Sequence, residues 1–378
     1  MKKLISLLLA LTLMVSLAGC GKKVETEEPK ETPEANEGTE ATTIAAEDMI
    51  VGFIYVGPIG DGGYTFAHDQ GRLYLEEQLG VKTIYKESVP ETQEVEQEIR
   101  NMIDQGAKAI FATSFGYMEY VEKISKEYPE VKFFHCSGYL STDNMANYFG
   151  RIYQTRYLSG IVAGLKTETN QIGYVAAFPI PEVVRGINAF TLGAQSVNPD
   201  VVVKVTWTST WYDPAKEKEA AIALLDGGVD IIAQHQDTTG PQQAAEERGA
   251  FSIGYNTDMS AMAPKAYMTA PIWNWGPYYA AQTQAVMDGT FASHAYWEGM
   301  SEDIVRLAPL TANAPEGAQA AVDAATAQIL DGTEYIFEGP IYDQAGEIKV
   351  AEGVKMTDQE MLSFDWFVKG VEGKIEKQ

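Results

Sequence analysis

From Met49 onward the chain alternates short apolar runs of strand length with longer stretches of helical period. The runs Met49–Val56, Thr83–Val89, Ala109–Ser114 and Lys132–Ser137 read as strands, with helices near 64–79, 91–105 and 117–127 between them. Such alternation closes as βαβ units on a parallel sheet, because right-handed crossovers place the helices on both faces. After Met145–Arg151 and a helix near 153–167 the alternation starts again. Strands are expected at Gln171–Phe178, Val201–Ser209, Asp230–Gln234 and Phe251–Gly254, with helices near 181–195, 214–226 and 240–248. Asp213-Pro214 is a helix start, since Asp caps free N–H groups and Pro suits the first turn. A strand at Tyr267–Trp273 precedes a helix near 277–288 that Asp288-Gly289 ends. In the tail, Phe337–Tyr342 and Glu347–Val350 flank Gln344-Ala345-Gly346 as a hairpin, and Thr357–Val368 reads as a terminal helix. The expected fold class is therefore α/β, built as two similar halves.

The N-terminus has a different character. Lys2 and Lys3 precede an apolar run, Leu4–Leu17, and Ala18, Gly19 and Cys20 follow. This is the layout of a signal peptide over 1–19. The run falls short of the roughly 20 residues a transmembrane helix needs. Leu17-Ala18-Gly19-Cys20 resembles a bacterial lipobox, which makes Cys20 a lipidation site. Residues 20–48 then read as the lipidated cysteine and a disordered tether, rich in Glu, Thr, Pro and Ala and almost without large apolar side chains. The remaining stretch of about 330 residues exceeds what one core usually serves, so two domains are expected.

Composition excludes several functions. A net charge of −25 argues against nucleic acid and against adhesion to anionic lipid. With Cys20 lipidated, Cys136 has no disulfide partner, and its apolar setting reads as burial. No phosphate loop of the G-x-x-x-x-G-K-[ST] type and no G-x-S-x-G elbow is present, and Gly57-Pro58-Ile59-Gly60-Asp61-Gly62 falls short of a dinucleotide fingerprint. The four histidines, His68, His135, His235 and His294, form no metal-ligand pair. His135 and His235 follow apolar strand residues and read as buried groups. No metal and no cofactor are expected, and the chain is read as a binding protein, not an enzyme.

Parallel sheets bind ligands beyond the carboxyl ends of their strands. Those ends carry Tyr64 after the first strand, Phe115-Gly116 after the third, Trp211 after Val201–Ser209, then Asp237, Asn256 and Asp258. Rings can sandwich a flat ligand while carboxylates and amides fix its edge. His68, early in the first helix, faces the same crevice. Trp207 lies inside a strand and reads as core. Asp213 reads as a cap, and Asp61 is explained by a turn with Gly62-Gly63. Trp273 and Trp275 mark a crossover, and both hinge packing and ligand contact remain open for them.

These strand-end motifs carry a resemblance to the basic membrane protein family, whose purine-nucleoside receptor lipoproteins serve ABC importers. Besides the lipobox, it rests on Asp61-Gly62-Gly63-Tyr64, Thr113-Ser114-Phe115-Gly116-Tyr117, the run Arg151–Gly160 and Gly254-Tyr255-Asn256-Thr257-Asp258. The resemblance implies the type I periplasmic-binding-protein fold: two Rossmann-like lobes with parallel sheets, a multi-crossover hinge, and ligand between the lobes. On that plan lobe 1 takes 49–148 and about 272–296, and lobe 2 takes 149–271 and about 297–331. Residues 332–378 are assigned to neither. Tyr64 matches the ring that stacks on the base in the family's nucleoside receptors. Asn256 stands where they carry an Asp for ribose, and Trp211 and Trp273 look like a subgroup taking a free base such as adenine. The ligand implied is a purine base or nucleoside, stacked by Tyr64, Phe115 and Trp211 and bonded at its edge by Asp237, Asn256 and Asp258. The partners implied are an ABC permease and, through the lipid, the outer face of the cell membrane, with the protein a monomer. The rival readings are a secreted enzyme acting on purine nucleosides and a ligand sensor without transport.

Overall fold

The computed structural model describes residues 43–375. The expected signal peptide, Cys20 and most of the tether lie outside the described residues. The last tether residues are folded: Ile44 N–H donates to Met287 O at 2.7 Å, and Ala46–Asp48 form a 3-10 turn. Ile44 and Ala46 pack on the first half's core.

The chain runs β1 (Ile50–Ile54), α1 (Tyr64–Leu79), β2 (Lys82–Lys86), α2 (Glu94–Asp104), β3 (Ala109–Ala112), α3 (Met118–Glu127), β4 (Lys132–Cys136) and β5 (Met145–Gly150). It continues as α4 (Tyr153–Lys166), β6 (Gln171–Ala176), α5 (Pro181–Val197), β7 (Val202–Trp207), α6 (Pro214–Asp226), β8 (Ile231–His235), α7 (Gly240–Glu247), β9 (Phe251–Ile253) and β10 (Tyr267–Thr269). Then come β11 (Pro271–Trp273), α8 (Gly276–Met287), β12 (Ala295–Glu298), β13 (Val305–Leu307) and α9 (Ala318–Asp331). Last are β14 (Ile341–Tyr342), β15 (Ile348–Val350), α10 (Asp358–Leu362) and β16 (Val371–Glu372).

Two six-stranded sheets result, ordered β12-β5-β4-β3-β1-β2 and β10-β9-β8-β6-β7-β16. Every ladder in them is parallel. The central strands β3 and β8 are buried throughout, as parallel strands covered on both faces must be. In the first sheet Phe53, Phe111 and Phe134 are register partners, and their rings stack at 5.0 and 4.5 Å across β1, β3 and β4. In the second half α4 and α5 touch backbone to backbone: a Cβ at Gly160 would meet Phe190 O at 2.1 Å, and one at Gly193 would meet Tyr157 O at 2.0 Å. The glycine of the Arg151–Gly160 run therefore serves helix packing.

The chain crosses between the sheets after β5, after β10 and after β12. The run expected as one strand, Tyr267–Trp273, is two: β10 edges the second sheet, while β11 pairs antiparallel with β13 among the crossing segments. The C-terminal hairpin forms as β14 and β15. The expected helix Thr357–Val368 is only α10, started by a capping box of Thr357 and Glu360. Beyond it the chain leaves the helix, and Phe364, Phe367 and Val368 still reach the second half's core. The segment left unassigned ends in β16, which extends the second sheet beside β7. Trp207, expected in the core, is half-buried under this segment, its Nε1 donating to Lys374 O at 2.7 Å.

Candidate functional site

At the end of β1, Asp61 accepts the N–H groups of Gly63, Thr65 and Phe66 at 2.8, 2.8 and 3.0 Å. It thereby caps α1 and sets Tyr64 at the first helical position, where its hydroxyl donates to Cys136 Sγ at 3.4 Å. Burial pushes the Asp61 carboxyl up to about 6 although these N–H bonds oppose it. Beyond β3, Glu91 Oε1 accepts from Ser114 Oγ (2.6 Å) and from the N–H of Gly116 (2.8 Å), which fixes the turn carrying Phe115.

The second sheet supplies the facing groups. Glu182 lies in the first turn of α5, with Oε1 3.3 Å from His235 Nε2 at the end of β8. Burial holds His235 down to about 4, so this is a hydrogen bond from a neutral imidazole and not an ion pair. Tyr255, after β9, lies 4.6 Å from the His235 ring and under the Arg156 guanidinium at 3.6 Å. Trp211, after β7, leans on Phe178 at 5.0 Å. Asp237 follows β8 and is 4% exposed. Its carboxyl is pushed well above the ordinary range, first by burial and then by the charges of Asp61, Glu217 and Glu182. Glu217 on α6 is itself pushed up to about 7 by burial while it accepts from Asp213 N–H and from the N–H and hydroxyl of Thr238.

These groups surround a cavity between the two sheets' strand ends. Val56, Tyr64, Ser114, Phe115 and Ser137 line it from the first half, and Glu182, Trp211, His235, Asp237 and Tyr255 from the second. The halves also touch directly around it. Trp211 Nε1 donates to Glu91 Oε2 at 3.3 Å, and Thr257 Oγ1 donates to Gly62 O at 2.5 Å. Gly63 has Asp237 O so close that a Cβ would lie 2.2 Å from it. The structure is thus a closed form with its mouth latched.

Of the residues singled out in the sequence, Tyr64, Phe115, Trp211 and Asp237 lie around this cavity. Asn256, His68 and Trp273 are one layer behind. Asn256 is buried, takes Trp273 Nε1–H on Oδ1 at 2.9 Å, and directs Nδ2 toward Asp237 Oδ1 at 3.4 Å. His68, one turn along α1 from Tyr64, meets that ring edge-on at 4.4 Å, stacks on Trp275 at 4.7 Å and contacts Tyr279 Oη at 2.5 Å. Trp273 stacks on Trp275 at 4.4 Å among the crossing segments. Gly116 holds Glu91 rather than the cavity. Asp258 stands apart: it is exposed and accepts Ser260 N–H at 2.9 Å, capping a turn. Glu182, His235 and Tyr255 were not singled out. His235 is buried, as its apolar strand implies, and its place as the last residue of a parallel strand is the signal that also points to the cavity.

The sequence matches the family described as ABC transporter substrate-binding protein PnrA-like over residues 49–345. The chain belongs to this family. It is 45% identical over 333 residues to a purine-binding protein of Brucella abortus, covering 88% of this chain and 95% of the relative. It is 38% identical to a putative ABC transporter glucose-binding protein of Haloferax volcanii, covering 87% and 82%. A solved ABC transporter solute-binding protein of Aeropyrum pernix superposes with a TM-score of 0.67 at 22% identity, over 78% of this chain and 93% of that one. One of Conexibacter woesei gives 0.63 at 23%, over 76% and 97%. These likenesses show the type I periplasmic-binding-protein fold. As a PnrA-like protein the chain is a substrate-binding component of an ABC transporter, not an enzyme. No helix among the described residues is long and apolar enough to cross a membrane.

Proposed function

We propose that this PnrA-like chain is an extracytoplasmic receptor, anchored through lipidated Cys20, that captures a purine as the free base and delivers it to a membrane permease. The observation that carries the reading is a cavity lined by Tyr64 and Phe115 from one half and Trp211 from the other. Rings contributed from both halves fit a flat heterocycle. Glu182, His235 and Asp237 supply the polar groups that fix the base edge. The kinship with a purine-binding relative supports the same class.

Capture proceeds by hinge closure. Ligand that touches both halves favours the latched form over open ones, and the permease recognises that form. The second reading is a sugar, favoured by the relative named for glucose and by the fit of aromatic walls and carboxylates to a hydroxylated ring. Calorimetry on protein stripped of bound ligand, against adenine, guanine, adenosine, guanosine and D-glucose, separates them. Adenine is expected to bind most tightly; heat from glucose alone would replace purine with sugar. Mass spectrometry of the copurifying small molecule gives an independent check.

A further inference from the structure

A carboxyl group can meet a heterocycle in two ways. Ionised, it offers two acceptors; protonated, it offers an acceptor beside a donor. Every polar edge of adenine pairs a donor with an acceptor: amino N–H beside N1 or N7, and N9–H beside N3. Guanine also has an edge of two donors, N1–H beside its amino group, which suits an ionised carboxylate.

Asp237 sits among acids. Asp61 at the start of α1, Glu217 on α6 and Glu182 at the start of α5 all act on it. Among the described residues no Lys or Arg lines the cavity. Arg156 and Arg185 act on the His235–Glu182 side, and Arg185 is itself tied to Met361 O at 2.7 Å. The N–H groups opening α1 would suit an anion, but Asp61 already holds those of Gly63, Thr65 and Phe66. Asn256 Nδ2 gives Oδ1 one long contact at 3.4 Å. Gly63 packs on the Asp237 carbonyl and closes that side. An anion here would be buried, weakly bonded and facing three other acids.

We propose that Asp237 meets the ligand as an uncharged carboxylic acid, accepting through one oxygen and donating through the other, and so selects the donor–acceptor edge of a 6-aminopurine. The assignment rests on the purine reading above. Burial and the three neighbouring acids, which raise this carboxyl, act in the same direction. In the open cleft water solvates Asp237 as the anion, so closure on adenine takes up one proton from solvent. The sign follows from linkage: the complex holds the proton that the free protein releases, so adenine affinity falls as pH rises between the two titration points.

The test is calorimetry of adenine and guanine on the full mature chain across neutral pH, in two buffers of different ionisation enthalpy. Wild type, Asp237→Asn and Asp237→Ala are compared. Asparagine carries a fixed acceptor and a fixed donor, the pattern of the neutral acid at every pH. Wild type is expected to take up about one proton and to lose adenine affinity by up to about tenfold per pH unit, with guanine gaining relative to adenine. Asp237→Ala should bind adenine at least about tenfold more weakly than wild type at the lower pH. Asp237→Asn should recover much of that loss and abolish both the slope and the proton uptake. Adenine binding without proton uptake, or Asn no better than Ala, overturns the assignment while leaving the purine reading intact. Wild type that binds neither base overturns both.

Discussion

The two walls of the cavity are built from the same kind of strand end but carry different chemistry. The first half contributes Val56, Tyr64, Ser114, Phe115 and Ser137: rings, hydroxyls and an aliphatic chain, without a carboxylate or an imidazole. Near the cavity its Asp61 is turned to backbone N–H groups, and its Glu91 holds Gly116 N–H, Ser114 Oγ and Trp211 Nε1. The second half contributes Glu182, His235 and Asp237 with Trp211 and Tyr255. One wall therefore selects flatness, and the other reads the polar edge. Substitutions on the first should weaken all flat ligands alike, while those on the second should reorder them.

The largest loss is expected at Trp211, the one ring that both lines the cavity and latches it. Trp211→Ala should weaken binding by about thirtyfold to a hundredfold, or about 2–3 kcal/mol, measured by calorimetry. A change of under threefold would show that the Trp211 ring does not hold the ligand. Glu182→Ala should cost about 2 kcal/mol and alter the order of the purines, because it removes an acceptor and strands the His235 N–H. Uniform weakening across the panel would contradict the division between the walls.

A stability effect of similar size comes from Glu217, which lies behind the polar wall and bonds Thr238 next to Asp237. Glu217 titrates at about 7 in the fold, above the ordinary glutamate range of about 4.3. The folded state therefore binds this proton more tightly than the unfolded chain. The stability it contributes is full below about 4.3 and is lost as pH rises through about 7, on the order of 1–3 kcal/mol. Denaturant titrations over that range should show the decline in wild type and a shallower one in Glu217→Gln; equal slopes would count against a buried, proton-holding Glu217.

Phe115→Ala should cost about 1–1.5 kcal/mol for every flat ligand without changing their order. Glu91→Gln, which weakens the acceptor of Trp211 Nε1, should cost under about 1 kcal/mol and shift the ligand-free protein toward expanded forms in small-angle scattering. An unchanged radius would mean that this bond does not help hold the mouth shut.

Much of the fold was legible because parallel sheets buried on both faces require apolar strands, and helices between them keep their own period. The elements that escaped are those whose partner is remote. β12 and β16 are short and join sheets whose other strands lie far away in sequence. β10 and β11 read as one run because a parting at Ala270 leaves no mark in an apolar stretch. For the site, position after a parallel strand found Tyr64, Phe115, Trp211 and Asp237. Depth was not legible: Asn256, Trp273 and His68 follow the same rule yet back the lining, because whether a strand-end side chain faces the cleft or the layer behind depends on loop conformation. Asn256 shows this, lying at φ 70° with its amide turned to Trp273 and Asp237.

A crystal structure of the ligand-stripped protein soaked with adenine addresses the pairing of the walls most directly. The account expects one planar molecule between Trp211 and the Tyr64–Phe115 side, its edge bonded to Asp237 or Glu182. Adenine resting on one half only, or lying in the neighbouring cavity beside Tyr139 and Trp297, would contradict it.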